Sequence, residues 1–220
     1  LLILLILTYL LYWRLKSKSK THLHTHPNSK LSKDLLNTLS AMTFNPSLLL
    51  FNTHLQTIFQ VFYDLLLSKG ERSHGFTYQW ELLTLSDGGN LALDWSLTTT
   101  QDNILILIPG IIGTSRDIYI LNTVRHALWA GFTCVVINHW GSKGTWLTTP
   151  WLYSAGSSED IDDVITHVKT RYPNSQVSAI GFSLGANLLT KHLAECTRLH
   201  KAVCIANPWD FKLCNATLPN

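Results

Sequence analysis

The sequence predicts an α/β fold built on a mainly parallel sheet that opens with an antiparallel hairpin. Three observations carry this. Four short continuous apolar runs, "ILILIP", "FTCVVINH", "VSAIGFS" and "KAVCIAN", are rich in Val and Ile; helix-period stretches separate them; and a "DGGN" turn signal lies between two strand-like runs ahead of them. Continuous rather than alternating apolarity suits strands covered on both faces. Strands that alternate with helices imply β-α-β crossovers. At 220 residues the chain can bury a full core, and 46% hydrophobic against 14% charged residues excludes a disordered chain.

Taken in order, the chain begins with "LLILLILTYLLYW", thirteen uncharged residues with no initiator Met; the single Met is Met42. A bilayer-spanning helix needs roughly 20 apolar residues. Residues 1–20 are therefore expected to be the C-terminal part of a single-pass membrane anchor, with Tyr12 and Trp13 at the interface and Arg14, Lys16, Lys18 and Lys20 on the watery side. A signal peptide is the competing reading, but the small-residue cleavage pattern is missing. The basic flank favours a cytosol-facing body. Residues 21–50 read as a polar linker and lead-in, and the alternate histidines of "HLHTH", His22, His24 and His26, as a solvated tether rather than a metal-binding face.

Charge divides the same way. Of the 17 Lys and Arg, six lie from Arg14 to Lys33 with no acid among them, which leaves 11 against 14 acidic residues in 34–220, a net of −3. That body is not a nucleic-acid binder by charge.

Within 51–220, "DGGN" at Asp87 to Asn90 closes the hairpin. Leu121, Val124 and Leu128 share one helical face, as do Leu189, Leu193 and Cys196. In "SSEDIDDVITHVKTRYP" the stripe is Ile161, Val164, Ile165 and Val168, Pro173 ends the helix, and Ser157 with Asp160 fits a capping box. Cys134, Cys196, Cys204 and Cys214 include no C-x-x-C pair and read as small buried hydrophobes. "NAT" at Asn215 matches a glycosylation sequon, which matters only for a lumenal body.

The run "VSAIGFSLGANLLT" supplies the chemistry. Gly181, Ser183 and Gly185 form G-x-S-x-G at a strand-to-helix junction, where the glycines leave room for a sharp bend and the serine projects from the C-terminal edge of the sheet. The amide of Leu184 would be one oxyanion donor. The second should come from "IPGIIGTS", with Ile111 first and Ile112 second; alternatively Gly110 and Gly113 serve only a tight turn. No phosphate loop, zinc-ligand spacing or dinucleotide fingerprint appears, so no metal and no cofactor is expected.

From Thr53 to Phe211, about 160 of the 220 residues, the motifs "HLQTIFQ", "LSDGGNLALDW", "LIPGIIGTSRDIYI", "NHWGSKG", "LYSAGSSEDIDDV", "GFSLGAN" and "NPWD" resemble the membrane-anchored α/β-hydrolase domain-containing proteins one and three, their plant embryogenesis-associated relatives and the bacterial YheT-like esterases. The resemblance implies an α/β-hydrolase fold and a serine hydrolase of acylglycerol, phospholipid or short-chain esters with Ser183 as nucleophile. It also implies that the triad acid and histidine come from later strands, outside this chain. Residues 51–220 would then be the N-terminal part of the domain, incomplete for want of its last strand-helix units. Trp140 stands where many relatives have Arg, beside His139, which reads as structural rather than as a base. After Ser183 the chain offers Glu195, His192 and His200, which lead away from the reaction edge, and Asp210, which lies on it. A fragment without its base should be inert; the rival reading is a non-catalytic membrane-tethered scaffold.

Overall fold

The computed structural model describes residues 2–25, 33–45, 47, 50, 54–59, 62, 75–139 and 156–217; Trp140 with the rest of "WGSKG", the "LYSA" stretch and His26 lie outside them. The chain forms two units, Leu1–Glu71 and Arg72–Asn220.

In the first unit, α1 (Leu2–Lys16) ends in Arg14 and Lys16, and Trp13 sits edge-on to Tyr9 and Tyr12. Its 15 residues rise about 22 Å, short of a hydrocarbon core of about 30 Å. Among the described residues no helix is long and apolar enough to cross a membrane, so the expected single-pass anchor has no support from the structure. The linker and lead-in segment holds α2 (Lys33–Ala41), with Asp34 in the first turn, and strands β1 (Ser19–Lys20) and β2 (Thr43–Phe44) pair antiparallel across it. The physical reason is local: Leu35, Leu36 and Leu39 recur at helical spacing and Asp34 favours the positive helix start.

The second unit is built on six strands: β3 (Gln79–Thr84), β4 (Asn90–Ser96), β5 (Asn103–Ile108), β6 (Thr133–Asn138), β7 (Gln176–Phe182) and β8 (Ala202–Ile205). Their order in the sheet is β3-β4-β6-β5-β7-β8, antiparallel through β4–β6 and parallel from β6 onward. Strand continuity follows from two-sided burial. On β5, Ile104, Ile106 and Ile108 enter one apolar cluster with α4 (Glu159–Arg171) and α5 (Leu184–Glu195), while Leu105 and Leu107 enter another with α3 (Ile118–Trp129). The α4 stripe of Ile161, Val164, Ile165 and Val168 is fully buried, as its spacing predicts. At the other edge β8 leaves Val203 and Ile205 half-exposed.

The capping box is not formed as expected. Ser158, not Ser157, precedes α4, and its buried hydroxyl donates to Glu195 Oε2 at 2.7 Å. A carboxylate on α5 is a stronger acceptor than the alternatives at the helix start, and Glu159, Asp160 and Asp162 complement the dipole instead. In the hairpin, Asp87 Oδ1 accepts from the Gly89 amide at 2.8 Å, and Gly88 takes φ 84°. A Cβ on Gly88 would meet nothing within 4 Å. Gly88→Ala should therefore cost only the backbone penalty, about 1–2 kcal/mol, read as a lower urea midpoint at unchanged slope.

Candidate active site

The C-terminal edge of the parallel strands collects every candidate for catalysis except His192, Glu195 and His200. Strand β7 ends at Phe182, α5 begins at Leu184, and Ser183 alone makes the bend, with φ 51° and ψ −116°. That is a sparsely populated conformation for a residue with a Cβ. The bend is tight because its neighbours are backbone. A Cβ on Gly181 would stand 2.5 Å from Gly185 O, and one on Gly185 would collide with the carbonyl oxygens of Ile108 and Pro109. The Ser183 amide donates to Ile205 O at 2.9 Å, and its carbonyl accepts from Ala186 and Asn187, which starts the helix. Ser183 is exposed, and the Leu184 amide belongs to the first turn, whose donors have no intrahelical acceptor.

The loop after β5 forms the facing wall. A Cβ on Gly110 would lie 3.3 Å from Ser183 Cβ, so backbone and nucleophile candidate are in near contact. A turn closes from Gly113 N to Gly110 O at 3.0 Å, with Ile112 at φ 53°; Ile111 and Ile112 are both exposed. Tyr119 braces this loop from α3: its hydroxyl accepts from the Gly110 amide at 3.2 Å, and its ring packs edge-on to Phe182 at 4.9 Å.

Deeper anchoring comes from a buried polar network that the sequence did not disclose. Asp94 Oδ2 accepts from the Ser115 hydroxyl at 2.5 Å and from Asn138 Nδ2 at 2.8 Å, and Asn138 Oδ1 accepts from the Ser115 amide at 2.9 Å. All three residues are buried, and the Tyr78 hydroxyl reaches the Ser115 carbonyl. Burial, with the Asp94 charge second, raises the Tyr78 pKa far above the phenol range and keeps it a neutral donor. The one sequence signal was an aspartate inside the apolar run "LALDW".

The other titratable residues have separate duties. His139 is buried with Nε2 3.1 Å from the Pro109 carbonyl, to which it donates when protonated there. His192 is buried on α5, and the His200 amide donates to Val177 O, at the opposite end of β7 from Ser183. Asp210 is on the reaction edge, where its Oδ1 accepts from the amides of Lys212 and Leu213 and caps α6 (Phe211–Thr217). Burial pushes the Cys134 thiol up to about 12, as fits a buried hydrophobe. Among the described residues the Ser183 hydroxyl has no hydrogen-bond partner.

Two outcomes are expected of this wall. Asn138→Ala removes a donor from the buried Asp94 carboxylate and should cost about 2–3 kcal/mol in urea unfolding. Burial lowers the His139 pKa below 6.5, partly opposed by the Pro109 hydrogen bond. Because the unfolded chain takes up that proton first, the neutral ring stabilises fully above pH 6.5 and progressively less as pH falls below it. Stability of the parent should thus decline more steeply below pH 6.5 than that of His139→Gln, whose amide keeps the donor without titrating.

No protein-family model matches the chain. Embryogenesis-associated protein EMB8 of Picea glauca is 34% identical over 175 residues, 73% of this chain and 36% of that protein. Phospholipase ABHD3 of Homo sapiens is 33% identical over 152 residues, 64% of this chain and 37% of that protein. The chain spans little more than a third of the length of these relatives. Among solved structures, the Pyrococcus furiosus esterase Pf2001 superposes with a TM-score of 0.55 at 21% identity, over 69% of this chain and 60% of that one. An alpha-beta serine hydrolase homologue from Coxiella burnetii gives 0.52 at 18%, over 62% and 66%. The chain is thus similar in sequence to EMB8 and ABHD3, and it carries an incomplete form of the α/β-hydrolase fold.

Proposed function

We propose that the chain carries the nucleophile portion of a serine hydrolase that cleaves carboxylic esters of lipids or short acyl chains. The observation that carries this reading is Ser183, exposed on a strained strand-to-helix bend with the β5–α3 loop against its Cβ. Ser183 Oγ attacks the acyl carbonyl carbon while a base takes its proton. The oxyanion is received by the amides of Leu184 and Ile111, with the α5 dipole behind the first. The proton then passes to the alcohol as the ester C–O bond breaks, and water releases the acyl group from Ser183. Each oxyanion donor contributes roughly 3–4 kcal/mol to the transition state.

The base this reaction requires is an imidazole oriented by a carboxylate, and among the described histidines of the second unit none shows such a pairing at Ser183. In this reading both are contributed from beyond the 220 residues. The relatives include phospholipase ABHD3 and, at 31% identity over 121 residues, monoacylglycerol lipase ABHD2 of Mus musculus, which supports an acyl ester of a lipid as substrate. Exposed Ile111, Ile112 and Trp209, all in loops at the C-terminal edge, supply apolar surface suited to an acyl chain.

A fluorophosphonate probe applied to the full-length protein should label the peptide bearing Ser183. Ser183→Ala should abolish the label and lower acyl-ester hydrolysis by about 10³-fold or more. Native full-length protein that stays unlabelled at Ser183 overturns the reading and leaves a non-catalytic scaffold.

A further inference from the structure

The second cluster of chemically capable side chains lies at the far end of α5. Over its 12 residues that helix rises about 18 Å, so Cys196 stands at the opposite edge of the sheet from Ser183. There α4 and α5 enclose a cavity of about 270 Å³ lined by Glu159, Asp162, His192, Glu195 and Cys196 among others. One ligand atom from each of Asp162, His192 and Cys196 lies within 4.8 Å of the other two. We propose that these three side chains bind a zinc-class divalent cation.

The imidazole is the observation that points to a ligand. His192 is 2% exposed, its Nε2 is buried with no partner, and its Nδ1 stands 3.8 Å from Asp162 Oδ1, beyond hydrogen-bond reach. Among the described residues neither ring nitrogen makes a hydrogen bond, whereas buried polar groups are almost always satisfied. Four-coordinate zinc, with bonds of about 2.0–2.3 Å, holds its ligand atoms roughly 3.3–3.6 Å apart, so a cluster within 4.8 Å needs to contract by no more than about 1.5 Å. The Cys196 amide donates to His192 O at 2.8 Å, which keeps thiol and imidazole side by side although the helix has ended.

The donor set selects the metal. Thiolate and imidazole suit zinc over magnesium or calcium, which take oxygen. Binding releases the Cys196 thiol proton to solvent, and the fourth position falls to water or to a neighbouring carboxylate. Arg198 opposes the cation, since its Nη2 lies 2.5 Å from Asp162 Oδ1. A carboxylate has lone pairs for both, and Glu159 and Glu195 add negative charge around the same cavity. The cation would pin the start of α4 to the end of α5, a structural role distinct from the chemistry proposed at Ser183.

Cobalt(II) is the probe, because its spectrum reports both geometry and thiolate. One equivalent added to the metal-free full-length protein should give the intense visible bands of four-coordinate cobalt and a near-ultraviolet thiolate-to-cobalt band, both removed by one equivalent of zinc. Cys196→Ser should abolish the thiolate band and weaken zinc binding at least about tenfold, and Asp162→Asn should weaken it similarly. Cys214→Ser, at an exposed cysteine, should change neither. Absence of the bands, their persistence in Cys196→Ser, or equal loss in Cys214→Ser overturns the proposal. None of these readouts depends on hydrolysis at Ser183.

Discussion

The geometry of the serine site depends on one contact of backbone with backbone, where the first turn of α5 meets the end of β5. Gly185 lies so close to the carbonyls of Ile108 and Pro109 that no side chain fits, and Gly181 is equally closed by Gly185 itself. With both flanks shut, the chain leaving β7 can reach α5 only through a single-residue bend, and Ser183 takes it at φ 51°. Such a conformation costs about 1–3 kcal/mol. Leu188 and Leu189, one turn along α5, are buried in the same face of the sheet, and full burial of each contributes about 1.5–3 kcal/mol. Packing of the helix therefore outweighs the strain at its own start.

The facing wall rests on polar satisfaction rather than on close packing. A carboxylate such as Asp94, 2% exposed, is tolerable only while it is well bonded, and the bonds that satisfy it run to the loop after β5 and to the end of β6. Ser115 gives its hydroxyl to Asp94 and its amide to Asn138, and that pair of bonds fixes where the loop leaves the sheet. Pro109 is held at the other end through His139. Between these anchors the loop carries Gly110 against Ser183. Loosening any of them moves one wall of the site and leaves the other in place.

What the sequence disclosed was periodic or local. The buried stripe of α4, the two-faced strands β5 and β6 and the Asp87 turn each follow from spacing within a few residues. What it hid was assembled over distance. Asp94, Ser115 and Asn138 are 21 to 44 residues apart, and no spacing rule joins them. Asp162 meets His192 and Cys196 only because α4 packs on α5, so Cys196 read alone was one more small hydrophobe. Two further features are local and legible. The leucine spacing of 33–41 marks a helix within the lead-in segment, and Asp210, two and three residues before Lys212 and Leu213, has the spacing of a cap.

Backbone strain separates the C-terminal edge of the sheet from the rest of the fold. Among the described residues the non-glycine positions with positive φ are Ile112, Ser183 and Ala206, and they follow β5, β7 and β8 respectively. Parallel strands deliver all three loops to one edge of the sheet. Elsewhere the same conformation falls to glycine, at Gly88 in the hairpin and at Gly131 after α3, where a Cβ would meet open space. Glycine would relax the edge positions as well, but at 183 it would remove the one hydroxyl the bend exposes. A side chain held where glycine is cheaper is a local conflict, and such conflicts in a well-packed fold collect where something other than stability sets the residue.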